Sequence, residues 1–287
     1  MTRPRRALVL GAGGYAAISW EVGILSGMAE AGVDPRKADL FVGTSAGAIV
    51  AAQVTSGVSL EELFRRQLAP REETDSSAPV VDFRRWREEL GRARSGGGSP
   101  NDVLRRIGAL ALAVPAEIPS DRPEVASLLP RHLWPEQRVL TVAVNVRTGE
   151  RRVFDRASGI DLVDAVTASG VVAGLAEPVT FEGQAYMDGG FYSLTNADLA
   201  LGCDRVLVIS LPARVPPLSV ISLEAELEQL RASHAHVEVV HPDEATQAAF
   251  ASVGGNLLDP SVCKPGVLAG REQGRRLTNE GLSSFWQ

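Results

Sequence analysis

Two kinds of apolar pattern alternate along the chain. Ala7-Leu8-Val9-Leu10 is apolar throughout and stops at Gly11, as expected of a strand buried on both faces. Leu40-Phe41-Val42 predicts a second such strand. A helix is predicted between them over about residues 17–31, stopped by Gly32, and the small residues from Ala46 to Ala52 predict another. Strand, helix, strand and helix within about 55 residues argue for a parallel α/β sheet.

The middle third reads as helical. Ser59-Leu60-Glu61-Glu62 starts a short helix ending near Ala69-Pro70, and the polar residues 71–78 read as a loop. Phe83, Trp86 and Leu90 stand at helical spacing within 80–94, and Ser95-Gly96-Gly97-Gly98 breaks that helix. Ser99-Pro100-Asn101-Asp102 supplies a cap, a first-turn proline and a first-turn acid for the next helix, which must stop before Pro115. Alternation from Arg138 to Val146 predicts a strand, turned at Arg147-Thr148-Gly149-Glu150 into a partner at 151–154. A helix to about Ser169 follows, then a hairpin over 180–187 turning at Glu182-Gly183. A short helix (196–201), a strand (205–211), a helix (223–233), a strand (237–240) and a helix from Asp243 continue the pattern. From Gly270 the chain reads as a polar tail until Phe285-Trp286, which are expected to dock back. The fold class is α/β: a parallel-rich central sheet with helices on both faces, read as one domain over 1–287 with a helical insertion at about 58–135.

Composition narrows the options. Hydrophobic residues make up 45% and charged residues 22%, enough for a full core. A net charge of -6 gives no electrostatic reason to bind nucleic acid. Cys203 and Cys263 form no metal-ligand spacing, so reduced thiols and no structural metal are expected. The apolar run behind the basic first residues is too short for a secretory leader, and 108–114 is too short to span a bilayer; a cytoplasmic protein is expected.

The candidate chemistry sits at loop ends of predicted strands. Gly43-Thr44-Ser45-Ala46-Gly47 lies between a strand and a helix, the context of a nucleophile elbow. Its glycines permit a turn tight enough to put Ser45 at the apex, against the positive end of the following helix. A serine nucleophile needs a base, and the tetrahedral oxyanion needs preorganised N–H donors. The run Gly11-Ala12-Gly13-Gly14 exposes backbone N–H groups and suits the second need, while Asp188, held by Gly189-Gly190, suits the first.

These three motifs, in this order, resemble the patatin-like phospholipase family. The resemblance extends to Trp20-Glu21-Val22-Gly23-Ile24-Leu25 and to Thr195-Asn196-Ala197-Asp198-Leu199, spanning roughly residues 6–60 and 138–211. It implies a three-layer α/β/α fold and an acyl-serine hydrolase acting on lipid or other acyl esters, without cofactor. The Phe83, Trp86 and Leu90 stripe reads either as a cap helix packed over the sheet or as an interfacial helix in transient contact with a membrane surface. The resemblance makes Ser45 the nucleophile and Asp188 the general base of a dyad without histidine. Gly11, Gly13 and Gly14 become the oxyanion loop, with Gly43, Gly47, Gly189 and Gly190 shaping the turns. One departure stands out: Tyr15-Ala16-Ala17 replaces the cation and glycine that many members carry after the glycine run.

Other readings of the same residues stay open. Ser45, Asp188 and His241 follow the chain order of an α/β-hydrolase triad. An acyltransferase or thioesterase would share the acyl-serine, although Thr44 stands where carrier transacylases usually place histidine. Gly11-x-Gly13-x-x-Ala16 resembles a dinucleotide loop, but no acid ends the second strand to hold a ribose. The insertion is the segment expected to roof the crevice and to form an acyl channel, through Phe83, Trp86 and Leu90 on one helix and Leu104, Ile107 and Leu110-Ala111 on the next.

Overall fold

The computed structural model describes residues 4–69, 82–115, 121–212 and 218–286. The polar stretch 71–78 therefore lies outside the described residues.

In chain order the elements are β1 (Arg6–Leu10), α1 (Gly14–Glu30), β2 (Leu40–Thr44), α2 (Ala46–Val54), α3 (Leu60–Leu68), α4 (Phe83–Ser95), α5 (Pro100–Leu112) and α6 (Arg122–Leu128). Then come β3 (Arg138–Asn145), β4 (Arg151–Phe154), α7 (Leu162–Gly170), β5 (Val179–Phe181), β6 (Gln184–Asp188) and β7 (Arg205–Ile209). The last are α8 (Leu223–Ala232), β8 (His236–Val240), α9 (Glu244–Ala251), α10 (Cys263–Leu277) and α11 (Ser283–Trp286). The sheet runs β5-β6-β3-β2-β1-β7-β8, with β4 paired to β3 off this path. The five strands from β3 to β8 in that order are parallel; β4 and β6 run antiparallel to β3, and β5 antiparallel to β6.

Period-two alternation decides which side chains face which layer. Leu8, Leu10, Phe41, Val139, Leu207 and Ile209 face α1, α2 and α10, with α3 and α6 joining through Leu63, Phe64 and Val125. Ala7, Val9, Val42, Leu140, Val206 and Val208 face Leu227 and Leu230 of α8 on the opposite side. Helices thus cover both faces, a three-layer α/β/α arrangement in which the central strands β1 and β2 have no solvated face.

Among the described residues the insertion packs onto the sheet where a channel was expected. Leu90, Leu104, Ile107 and Ala111 pack against Val144, Val146, Met187 and Phe191, so the apolar edges of α4 and α5 are closed against the sheet. The Trp86 indole N–H donates to the Ala173 carbonyl at 2.8 Å, tying α4 to the loop after α7. Ser99 caps α5 in a reciprocal box with Asp102, as its sequence predicts.

Residues from Gly270 onward are helical rather than a polar tail. The buried face of α10 is Cys263, Gly266, Val267, Gly270, Gln273 and Gly274, a helical stripe in which glycines stand where apolar residues usually do. A methyl group on Gly270 would strike the Trp20 carbonyl, and one on Gly274 the Ile24 carbonyl. From the other side, Gly23 and Gly27 meet the Val267 and Arg271 carbonyls just as closely. α1 and α10 therefore touch backbone to backbone. Beyond them Trp286 is buried and its carbonyl accepts from the Arg6 guanidinium at 2.7 Å.

Candidate active site

Ser45 occupies one residue between β2 and α2, with φ 55 and ψ −117. Backbone of that kind is strained for a residue with a Cβ and persists only where the surroundings fix it. Gly47 provides part of that fixing. Its N–H donates to the Gly11 carbonyl at 3.0 Å, and any side chain there would strike the Leu10 carbonyl, so only glycine lets α2 leave so close to β1. The Ser45 N–H donates to the Ser169 hydroxyl at 2.9 Å, both residues being buried.

Register brings Asp188 to the same level. Thr44 pairs with Val142 on β3, and Ala143 pairs with Asp188 on β6, so one step past Thr44 sets Ser45 in the row of Ala143 and Asp188. The residue between them carries only a methyl group. Ser45 is 9% and Asp188 7% exposed, and the Ser45 hydroxyl lies near enough to the Asp188 carboxyl to act on it. The Gly190 N–H donates to Asp188 Oδ1 at 2.6 Å and the Asp188 N–H to the Val171 carbonyl at 2.8 Å. Burial pushes the Asp188 carboxyl up to about 6, against the lowering effect of the Gly190 N–H and the Ser45 hydroxyl.

The glycine loop closes the group from the β1 side. Helix α1 starts at Gly14, three residues before the sequence reading placed it, with Gly13 as its cap at φ 155. The Gly13 and Gly14 N–H groups thus belong to a helix N-terminus, where no carbonyl four residues earlier can accept them. Gly11 differs from its expected role as an oxyanion donor. Its N–H already donates to the Ile209 carbonyl at 3.0 Å and to Glu21 Oε1 at 2.9 Å. Its part is to anchor the loop. Burial holds the Glu21 carboxyl well above the usual carboxylate range.

A polar network supports the elbow from behind. Asn196, in left-handed backbone at φ 50, donates from Nδ2 to Thr44 Oγ1 at 3.1 Å and to the Ser193 carbonyl at 2.9 Å. Arg151 forms a two-pronged ion pair with Asp198 at 2.7 and 2.8 Å and donates to Asn196 Oδ1 at 3.2 Å. Glu226 on α8 accepts from Thr195 Oγ1 at 2.6 Å and from the Ala197 N–H at 3.1 Å. Burial raises the Glu226 carboxyl. Ser169, Arg151 and Glu226 had no motif to mark them. The available signal was Glu226 on the apolar face of α8, in line with Leu223, Leu227 and Leu230.

His241 stands apart. It follows β8, three strands from β2, which is about 14 Å at the usual strand spacing. It is exposed, and its Nδ1 lies 2.7 Å from the Ser210 carbonyl. The surface cavities of about 460 Å³ beside Arg105 and Arg106 and about 230 Å³ beside Pro178 contain neither Ser45 nor Asp188.

The patatin-like phospholipase family model matches residues 8–201, from β1 through the glycine loop, the elbow and the Asp-Gly-Gly turn. The chain belongs to the patatin-like phospholipase family. It is accordingly an enzyme of the lipid acyl hydrolase class. No curated protein matches the sequence. Among solved structures the chain is similar to VipD from Legionella pneumophila, with 13% identity and a TM-score of 0.47, over 97% of this chain and 67% of that one. It is also similar to the type III effector ExoU, with 16% identity and a TM-score of 0.43, over 97% of this chain and 53% of that one. A full-length ExoU from Pseudomonas aeruginosa in complex with SpcU gives 15% identity and 0.38, over 98% and 60%.

Proposed function

We propose that the chain hydrolyses lipid or other carboxylic acyl esters through an acyl-serine formed on Ser45, with Asp188 as general base. The observation that carries this reading is the row that the register of β2, β3 and β6 makes of the buried Ser45 and Asp188, at the strand ends where the glycine loop also lies. Ser45 Oγ attacks the acyl carbonyl as its proton passes to Asp188. The carbonyl oxygen takes the negative charge and is held by the Gly13 and Gly14 N–H groups at the positive end of α1. Collapse expels the alkoxide, which recovers the proton from Asp188. Water, deprotonated by Asp188, then attacks the acyl-serine and releases the acid by the same steps. A carboxylate raised to about 6 is a stronger base than a free aspartate and is still ionised at neutral pH.

Thioesters and acyl transfer to an acceptor other than water use the same acyl-serine. The position of His241 favours the dyad over the triad. The whole chain reads as one hydrolase domain of a cytoplasmic protein that meets membranes transiently; among the described residues no helix is long and apolar enough to cross one.

The test combines a fluorophosphonate probe with p-nitrophenyl esters. Labelling is expected on Ser45 alone, and Ser45→Ala is expected to abolish turnover in a folded protein. Asp188→Asn should lose a hundredfold or more and His241→Ala less than about tenfold. Turnover by folded Ser45→Ala at the native rate sinks the mechanism, and equal losses in the two other variants favour the triad.

A further inference from the structure

The wall beside the glycine loop comes from residues beyond the family-matched region. A methyl group on Gly13 would meet Leu211 Cδ1 at 2.5 Å, and one on Gly14 would meet Leu258 Cδ2 at 2.5 Å and the Leu257 carbonyl at 2.8 Å. Leu211 follows β7, the neighbour of β1 in the sheet, while Leu257 and Leu258 lie between α9 and α10. This loop is pinned in place, because the Leu257 carbonyl accepts the Ala16 N–H in the first turn of α1 at 3.1 Å. Gly254 and Gly255, with φ 91 and 67, turn the chain out of α9 toward it. Leu211 is 8% exposed but Leu258 is 40% exposed. A singly exposed leucine is ordinary on a protein surface. This one follows a residue pinned by a backbone hydrogen bond, and it lies against Gly14, whose amide is proposed to carry the oxyanion.

Geometry then says what it faces. When a carbonyl oxygen is within about 3 Å of the Gly13 and Gly14 N–H groups, the carbons bonded to that carbonyl are within about 5 Å of the same helix end. A side chain already touching Gly14 is within contact distance of the first few of them. The other candidate wall, the apolar edge of α4 and α5, is closed against β3 and β6.

We propose that Leu258, beside Gly14, with Leu211 beside Gly13, determines acyl specificity: these leucines are the wall along which the hydrocarbon chain of the ester lies. The inference rests on the acyl-hydrolase reading and adds the place where the chain is bound. Each methylene laid against this wall raises kcat/KM by up to about fourfold until the leucines are covered.

The experiment measures kcat/KM for p-nitrophenyl acetate, butyrate, hexanoate and octanoate on the native protein, Leu258→Ser, Leu258→Met and Trp86→Ala. The readout is the octanoate-to-acetate ratio, which is independent of the fraction of active protein. The native ratio is expected well above one, to fall at least tenfold in Leu258→Ser, to be largely kept in Leu258→Met and to be unchanged in Trp86→Ala. An unchanged ratio in Leu258→Ser overturns the proposal, as does a native ratio at or below one. A collapse of the ratio in Trp86→Ala with Leu258→Ser unaffected assigns the chain to the insertion instead. Cleavage of no ester, with no fluorophosphonate on Ser45, is a different failure: the acyl-hydrolase reading falls, and this inference with it.

Discussion

Asp188 meets two opposed requirements. As the proposed base it must be ionised, yet burial favours its neutral form and lifts the carboxyl from 3.8 to about 6. Because the folded value is the higher one, folding favours the protonated acid. The penalty for ionising it is absent below about pH 3.8, grows through the interval and is complete above about pH 6. At ~1.36 kcal/mol per pH unit it reaches about 3 kcal/mol. Activity should therefore rise with pH to a half-maximum near 6, while this group's contribution to stability falls over the same interval. Asp188→Asn keeps an acceptor for the Gly190 N–H and removes the charge. Calorimetry should show the variant melting above the native protein at pH 8, with the difference nearly gone at pH 4, although its turnover is the lower. A variant that is the less stable at pH 8 would mean the carboxylate is better solvated than its burial implies.

At the scale of elements, the α1–α10 seam is the contact least tolerant of change. Gly→Ala inside a helix ordinarily stabilises by about 1 kcal/mol. At Gly27 and Gly274 the added methyl meets a facing carbonyl, and overpacking of about 1–3 kcal/mol opposes that gain. Urea unfolding should show Gly27→Ala and Gly274→Ala destabilised and Gly91→Ala stabilised, since no atom lies within 4 Å of a Cβ on Gly91. Stabilisation at all three would dissolve the seam. The same glycines explain what was legible beforehand. The strand–turn–helix around Ser45, the Ser99 cap and the Glu182-Gly183 hairpin, both of whose turn residues have positive φ, are encoded by adjacent residues and are legible in them. α10 was misread because a stripe of glycine registers as polar chain in any hydrophobic pattern. The start of α1 was misplaced for a related reason, since Gly13 and Gly14 look like loop and act as cap and first turn. Ser169 and Glu226 act across the fold, so no local spacing could announce them.

Over the whole molecule, the family resemblance and the working parts do not end at the same residue. The matched region, 8–201, holds the elbow, the Asp-Gly-Gly turn and the glycine loop. Leu211, Leu258 and α10, which wall or brace that loop, all lie after it. Ser45 and Asp188 were legible because motifs name them, and their closeness was not. It depends on the register of β2, β3 and β6, which only the assembled sheet fixes.

The brace has a consequence for synthesis. α10 begins more than 230 residues after α1 ends. At about 5–20 residues per second the ribosome takes roughly ten to fifty seconds to supply it. For that time α1 carries an uncovered groove of backbone, and the amides at its first turn lack the scaffold that orients them. Nascent chains arrested before residue 263 has emerged should be cut readily by protease and should take no fluorophosphonate at Ser45, whereas released full-length chains should take it stoichiometrically. Labelling of the arrested chains at the full rate would mean that the nucleophile matures without α10. Otherwise the proposed nucleophile stays silent until α10 reaches α1, so the order of synthesis itself times the onset of activity.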